Sequence, residues 1–191
     1  MLRPTHRLLG ATLALALVTP AAMVHAQYSP DRATAFEMRK EFLADLDSLH
    51  AKFTALAEAF PADKYSWRPA PGVRSVGEVF MHVASEFYFY TPAIFGAVPS
   101  PVVEGNRAGF EKFEKMSSKP EVLKHLKEGF AYGRQAVATL EEAKITGTHK
   151  IFGHDRQVIE MSFDMTDDLH EHLGQLIAYA RMNGVKPPWS K

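Results

Sequence analysis

The 191 residues are 46% hydrophobic and 23% charged, a balance that supports one packed globular domain and excludes a disordered tail or a collagen-like fibre. Lysine plus arginine number 22, as do aspartate plus glutamate, so no net charge draws the chain to nucleic acid or an acidic membrane surface. Cysteine is absent, which removes disulfides, thiolate metal sites and cysteine nucleophiles and leaves nine histidines as the main reactive inventory.

The chain opens with Arg3, His6 and Arg7, continues in the apolar run from Leu8 to Val18, and then reaches Pro20 and the ending Val24-His25-Ala26. A basic start, a short apolar middle and an A-x-A-like end describe a secretory signal peptide over residues 1–26, cleaved after Ala26. The apolar run is shorter than the roughly 20 residues a spanning helix needs, so no stable membrane anchor is expected. The remaining domain is residues 27–191. Loss of Arg3 and Arg7 leaves 20 basic residues against 22 acidic ones, because residues 1–26 contain no Asp or Glu. Export together with the lack of cysteine fits a periplasmic or secreted protein.

From Asp31 to about Phe60, apolar residues recur at Phe36, Phe42, Leu43, Leu46, Leu49, Phe53, Leu56 and Phe60, mostly three or four apart, which predicts a long amphipathic helix stopped by Pro61. Tyr65 to Gly72 reads as a loop rich in proline and aromatic residues. Ser75-Val76-Gly77-Glu78 is a capping-box pattern and starts a second helix, expected to end near Phe87 or Tyr90. Residues 91–116, with three prolines and three glycines, read as a long connection with room for short helical turns. Ser118-Lys119-Pro120-Glu121 is a second capping-box pattern, opening a third helix over Lys119 to Leu140. Lys144 to Asp155 reads as a loop with a brief extended piece at Lys150 to Phe152. A fourth helix is expected over Arg156 to Asn183, stopped by Gly184 with Pro187 and Pro188 beyond. Four such helices without a strand pattern predict an all-α fold, a four-helix bundle. The long second connection allows a path other than simple up-down-up-down.

Bundles build metal sites from side chains that project inward from facing helices. His172 and Asp168 lie four apart, about 40° around and about 6 Å along a helix, so the pair can chelate. Gln175 and Tyr179 continue that face, between Leu169, Leu173, Leu176 and Ile177. The same stripe also describes an Asp–His pair exposed to water. His170 lies about 200° around from His172 and reaches the same ion only if the helix bulges. His82 is surrounded by apolar residues of the second helix, which suits either a core histidine or a ligand; Glu78 and Glu86, one turn to either side, are candidate acceptors for its other ring nitrogen. His149 and His154 read as ordinary loop residues, and Arg181 faces away from the stripe.

Ser75-Val76-Gly77-Glu78 with His82, followed by His170-Glu171-His172-Leu173-Gly174-Gln175-Leu176, Tyr179, Arg181, Asn183-Gly184 and Pro187-Pro188, resembles the DinB/YfiT-like superfamily over about residues 32–188. The resemblance implies a four-helix bundle of DinB/YfiT type that holds a divalent metal with one histidine on the second helix and an H-x-x-x-H pair on the last. Carried over, it makes His82 and His172 ligands and places the family's other histidine at Asp168. Asp168 is then either a third ligand or the mark of a lost site. His82, Asp168 and His172 suit Zn, Ni, Fe or Mn with open positions. Glu86, Gln175 and Tyr179 would form the surrounding shell or pocket. Trp67 and Arg68 resemble a family element ahead of the second helix and equally suit a loop plug with a surface cation.

Family members include thiol-dependent transferases and isomerases and hydrolases. The resemblance therefore implies an exported divalent-metal-binding protein, a metal-dependent transferase or hydrolase acting on a small molecule. The alternative is a non-catalytic helical domain that binds metal or a small ligand, and a third reading is a structural protein whose site has decayed. Nucleic acid is not an expected partner; a monomer and a homodimer both stay open.

Overall fold

Apolar spacing produces the first helix where it is expected: α1 (Arg32–Ala59) buries Phe42, Leu46, Leu49, Phe53 and Leu56 along one stripe. The Asp31 carboxylate accepts from the amide of Thr34 and caps its start. The computed structural model describes residues 31–190, and the expected signal peptide, residues 1–26, lies outside the described residues. A short 3₁₀ turn at Ala62–Lys64 follows. The loop after it folds back on the next helix, because the carbonyls of Trp67 and Tyr65 accept from the amides of Val76 and Gly77.

Both arms of the Ser75–Glu78 capping box form: the Ser75 amide donates to the Glu78 carboxylate at 2.8 Å, and the Glu78 amide donates to the Ser75 hydroxyl at 3.3 Å. Helix α2 (Val76–Phe95) runs past the expected end at Phe87 or Tyr90 and carries Pro92 inside it. Packing overrides the local breaker there, since Thr91, Ile94 and Phe95 are all buried. Gly96, at φ 69°, closes the helix in the left-handed region.

The 91–116 connection contains a short helix, α3 (Arg107–Glu114), capped by the Asn106 side chain. Helix α4 (Lys119–Ala138) starts where expected, but the second capping box does not form: Ser118 makes no side-chain cap bond. Lys119 instead donates to the carbonyls of Glu58 and Phe60, tying the start of α4 to the end of α1. Residues 144–155 are also more ordered than a loop. They hold part of α5 (Glu142–Thr146) and an antiparallel hairpin of β1 (Thr148–Ile151) and β2 (His154–Gln157), paired Ile151 to His154 and Thr148 to Gln157. Helix α6 (Val158–Met182) ends before Gly184, at φ 69°, as the glycine-then-proline pattern predicts.

The closest packing runs round the bundle as α1, α4, α2 and α6, so α1 and α2 lie across the bundle from each other and meet through rings such as Phe42 and Phe95, with centroids 6.1 Å apart. The long connection through α3 permits this order, and the fold is all-α apart from the small hairpin. Phe53, Phe60, Phe80, Phe87 and Phe130 are fully buried in the core, with Phe87 and Phe130 ring centroids 4.3 Å apart. Among the described residues, no helix is long and apolar enough to cross a membrane.

The start of α2 is pressed against the chain entering α4: a Cβ on Gly77 would overlap the carbonyl oxygen of Ser117. Backbone cannot rotate out of the way as a side chain can. Gly77→Ala is therefore expected to destabilise the fold by about 1–3 kcal/mol. An unchanged denaturant midpoint would show that the two segments separate freely.

Candidate metal centre

Helices α2 and α6 pack side by side, and each aims one imidazole into the seam between them. On α2, the apolar face of Val79, Phe80, Val83 and Phe87 is buried in the core. That burial sets the rotation of the helix and turns His82 and Glu86, one turn apart, toward α6. On α6, buried Leu169, Leu173 and Leu176 do the same for Asp168, His172 and Gln175.

The Nε2 atoms of His82 and His172 lie 3.1 and 3.2 Å from the same oxygen, Glu86 Oε1. The two rings are nearly perpendicular, with centroids 4.8 Å apart. Among the described residues, His82, Glu86 and His172 are the one group of three histidine or acidic side chains whose ligand atoms all lie within 4.8 Å of one another. The side chains are mostly enclosed, at 22% exposure for His82, 6% for Glu86 and 17% for His172.

Outer partners hold each ring by its other nitrogen. His82 Nδ1 is 2.7 Å from Glu114 Oε1, at the end of α3, and the Arg74 guanidinium grips the other oxygen of Glu114 at 3.1 Å. His172 Nδ1 lies 3.2 Å from Gln175 Oε1; Gln175 Nε2 donates to the Tyr179 hydroxyl, which donates to the Arg74 carbonyl. Read as a donor chain, these bonds place the neutral-ring proton on Nδ1 of both histidines. Both Nε2 lone pairs then face the Glu86 carboxylate. Three acceptors gathered this closely require positive charge between them, either protons or a cation.

The titration directions agree. Burial opposes the charge on His82, but the bonds to Glu114 and Glu86 outweigh it and raise its pKa to about 9. Burial works the same way on His172, and Glu86 again outweighs it and raises the value. Burial would raise the Glu86 carboxyl, yet the bonds from His172 and His82 hold it below its ordinary value. Asp168 moves the other way: burial and the neighbouring Glu86 charge both raise it.

A divalent ion fits this donor set. Two imidazole nitrogens and a carboxylate match the ligand types of zinc and other first-row metals, and their spacing is close to that of neighbouring ligands around one ion. Glu86 Oε2 is buried without a hydrogen-bond partner, so the carboxylate keeps unused acceptor capacity.

Asp168 Oδ1 stands 3.5 Å from His172 Nε2, at the edge of the group. Glu86, read from the sequence as an outer residue, instead supplies the oxygen between the two histidines. Its signal was present, since His-x-x-x-Glu puts both side chains on one helical face. Gln175 and Tyr179 stand behind His172 as a brace. Glu114 and Arg74 carry no local signal, because Glu114 lies 32 residues from His82 and meets it only in the fold. Helix α6 is unbroken at His170, whose Nδ1 meets the Thr166 carbonyl and whose Nε2 faces Asp45 of α1 at 3.7 Å, so no bulge brings it into the group. Trp67 packs edge-on against Tyr179 with centroids 5.4 Å apart, while Arg68 pairs with Glu78 at 3.0 Å. His149 and His154 sit on the hairpin, and Arg181 is exposed.

The family model described as the DinB superfamily matches residues 45–176, more than half of the chain, and the match includes His82, Glu86, Glu114, Asp168, His172 and Gln175. No curated protein and no solved structure matches.

Proposed function

The chain belongs to the DinB superfamily, and on that premise we propose that it is an exported divalent-metal-binding protein that uses its ion as a transferase or hydrolase on a small molecule. The observation that carries this reading is the convergence of His82 Nε2, His172 Nε2 and Glu86 Oε1, each ring held from behind by a partner on its other nitrogen. His82, His172 and Glu86 would hold the ion, with Asp168 beside them. A divalent ion in such a set supplies Lewis acidity, which makes a water or a thiol nucleophilic at neutral pH.

The protein's own groups orient and move protons. Glu114 and Gln175 fix the two ring planes, so the ligand atoms need no reorganisation. Asp168 places a carboxylate oxygen 3.5 Å from His172 Nε2, where it can take a proton from a group bound beside the ion. Arg74 links both braces, one through its guanidinium and one through its carbonyl. Export to the periplasm or the medium is supported by the basic, apolar and small-residue sequence of residues 1–26.

Elemental analysis of protein purified from its exported location, followed by thiol-transfer and ester-hydrolysis assays, tests the proposal. One equivalent of metal with turnover in either assay is the expected result. Metal without turnover would leave a non-catalytic binding domain, and protein without metal would overturn the metal reading.

A further inference from the structure

Beside the metal centre, along the helices that build it, stands a wall of aromatic rings. On α2, Phe89 and Tyr90 follow Glu86 by three and four residues, about one turn. On α3, Phe110 precedes Glu114 by four residues, again about one turn. The same two helices therefore make two rungs: His82 meets Glu114, and Phe89 meets Phe110 with ring centroids 5.6 Å apart. The hairpin tip closes a third side, where Phe152 stacks on Phe89 at 5.4 Å and 12° and meets Tyr90 edge-on at 6.1 Å. Asp168 and Glu86 lie close enough to Tyr90 that, added to burial, their charges raise its phenol pKa. The wall thus stands about one to two helical turns from the site along α2.

Two features of the wall are costly in the free protein, and an occupant would relieve the first. Phe89 and Phe152 are 46% and 48% exposed, although large apolar rings gain most when removed from water. Phe152 also sits at φ 51° in a two-residue turn with Gly153 at φ 82°, a turn that favours asparagine or aspartate at its first position. A bulky side chain is rare in that region and strained there.

We propose that Phe89, Tyr90, Phe110 and Phe152 form a recognition wall for an aromatic ring of the substrate, whose polar end reaches the group of His82, Glu86 and His172. Four rings, two of them partly buried, offer much less than the roughly 800 Å² per partner of a stable protein interface, which favours one flat group of a small molecule. The separation of about 5–12 Å along α2 between the wall and the metal-binding side chains fits a polar head joined to a ring by a short spacer. This inference rests on the metal reading above.

The test uses the zinc-loaded protein and two probes with the same chelating head, phenylpropanohydroxamate and propanohydroxamate, with affinities from calorimetry. The phenyl compound should bind about tenfold tighter. That ratio should fall to about one in Phe89→Ala and in Phe152→Asn, the latter placing at the turn a residue it favours and so keeping the hairpin. Equal affinities for the parent protein, or a ratio untouched by both substitutions, would overturn the wall. So would a dimer in solution that Phe89→Ala dissociates, because the rings would then cover a second copy. Zinc content measured on the same samples separates the two readings: one equivalent of zinc without a preference for the phenyl compound removes the wall alone, and no zinc removes both.

Discussion

His82→Ala and His172→Ala should each lower zinc affinity by more than about 100-fold, since each removes a ligand atom rather than a brace behind one. Competition against a chromophoric chelator reads the loss, and circular dichroism should show the helices intact, because Phe53, Phe60, Phe80, Phe87 and Phe130 carry the core without them. The carboxylates form a graded series. Glu86→Gln keeps the shape but removes the charge that both Nε2 atoms face, so it should approach the histidine variants. Glu114→Gln leaves an oxygen to accept from His82 Nδ1 and should cost about tenfold. Asp168→Ala, at the edge of the group, should cost less than Glu86→Gln. The reverse order would make Asp168 the third ligand and Glu86 its support. Equal metal content in the parent and both alanine variants would refute the site.

Zinc affinity should also climb with pH, by about tenfold per unit for each proton displaced, up to about pH 9. In the metal-free protein His82 is raised to about 9, so near pH 7 its ring carries two protons, and one must leave before Nε2 can bind an ion. His172, raised by the same Glu86 carboxylate, adds to the effect. Calorimetry in buffers of different ionisation heat should find at least about one proton released per zinc at neutral pH. An affinity flat between about pH 6 and about pH 8, a range wholly below the His82 value of about 9, would mean that protons do not occupy the site.

Metal-free stability has the opposite sign. The folded pKa of His82 lies above its ordinary 6.5, so its contribution is full below that value and is lost as pH rises through about 9. The amount is on the order of 3 kcal/mol at most, because the coupled carboxylates share it. Thermal midpoints of the metal-free and zinc-loaded forms should therefore diverge as pH rises.

Much of this was legible in the sequence because the signals are local. The apolar stripe from Phe42 to Phe60 specifies α1, the reciprocal Ser75–Glu78 bonds start α2, and Gly184 ends α6, each needing only residues within about one helical turn. His82 and His172 were readable as a pair only through resemblance to a family; spacing alone left each with an ordinary structural reading. Local signals also misled. Ser118 has the capping-box pattern but makes no cap bond, and Pro92 sits inside α2 because buried Thr91, Ile94 and Phe95 hold that turn in place. Of the hairpin only a brief extended piece at Lys150 to Phe152 was legible, because its strands are four residues each, too short for alternation to show.

By itself, then, the sequence determined an all-α chain, the starts of α1, α2 and α4, the stops of α1 and α6, and the faces on which His82, Glu86, Asp168 and His172 stand. Tertiary structure alone decided that the helices pack in the order α1, α4, α2, α6, that Glu86 Oε1 meets both imidazoles, and that Glu114 and Arg74 brace one ring from another part of the chain. The reason is range. Helical periodicity and caps are set by neighbours along the chain, whereas a shared oxygen between two helices depends on how whole apolar faces, 90 residues apart from His82 to His172, settle against each other.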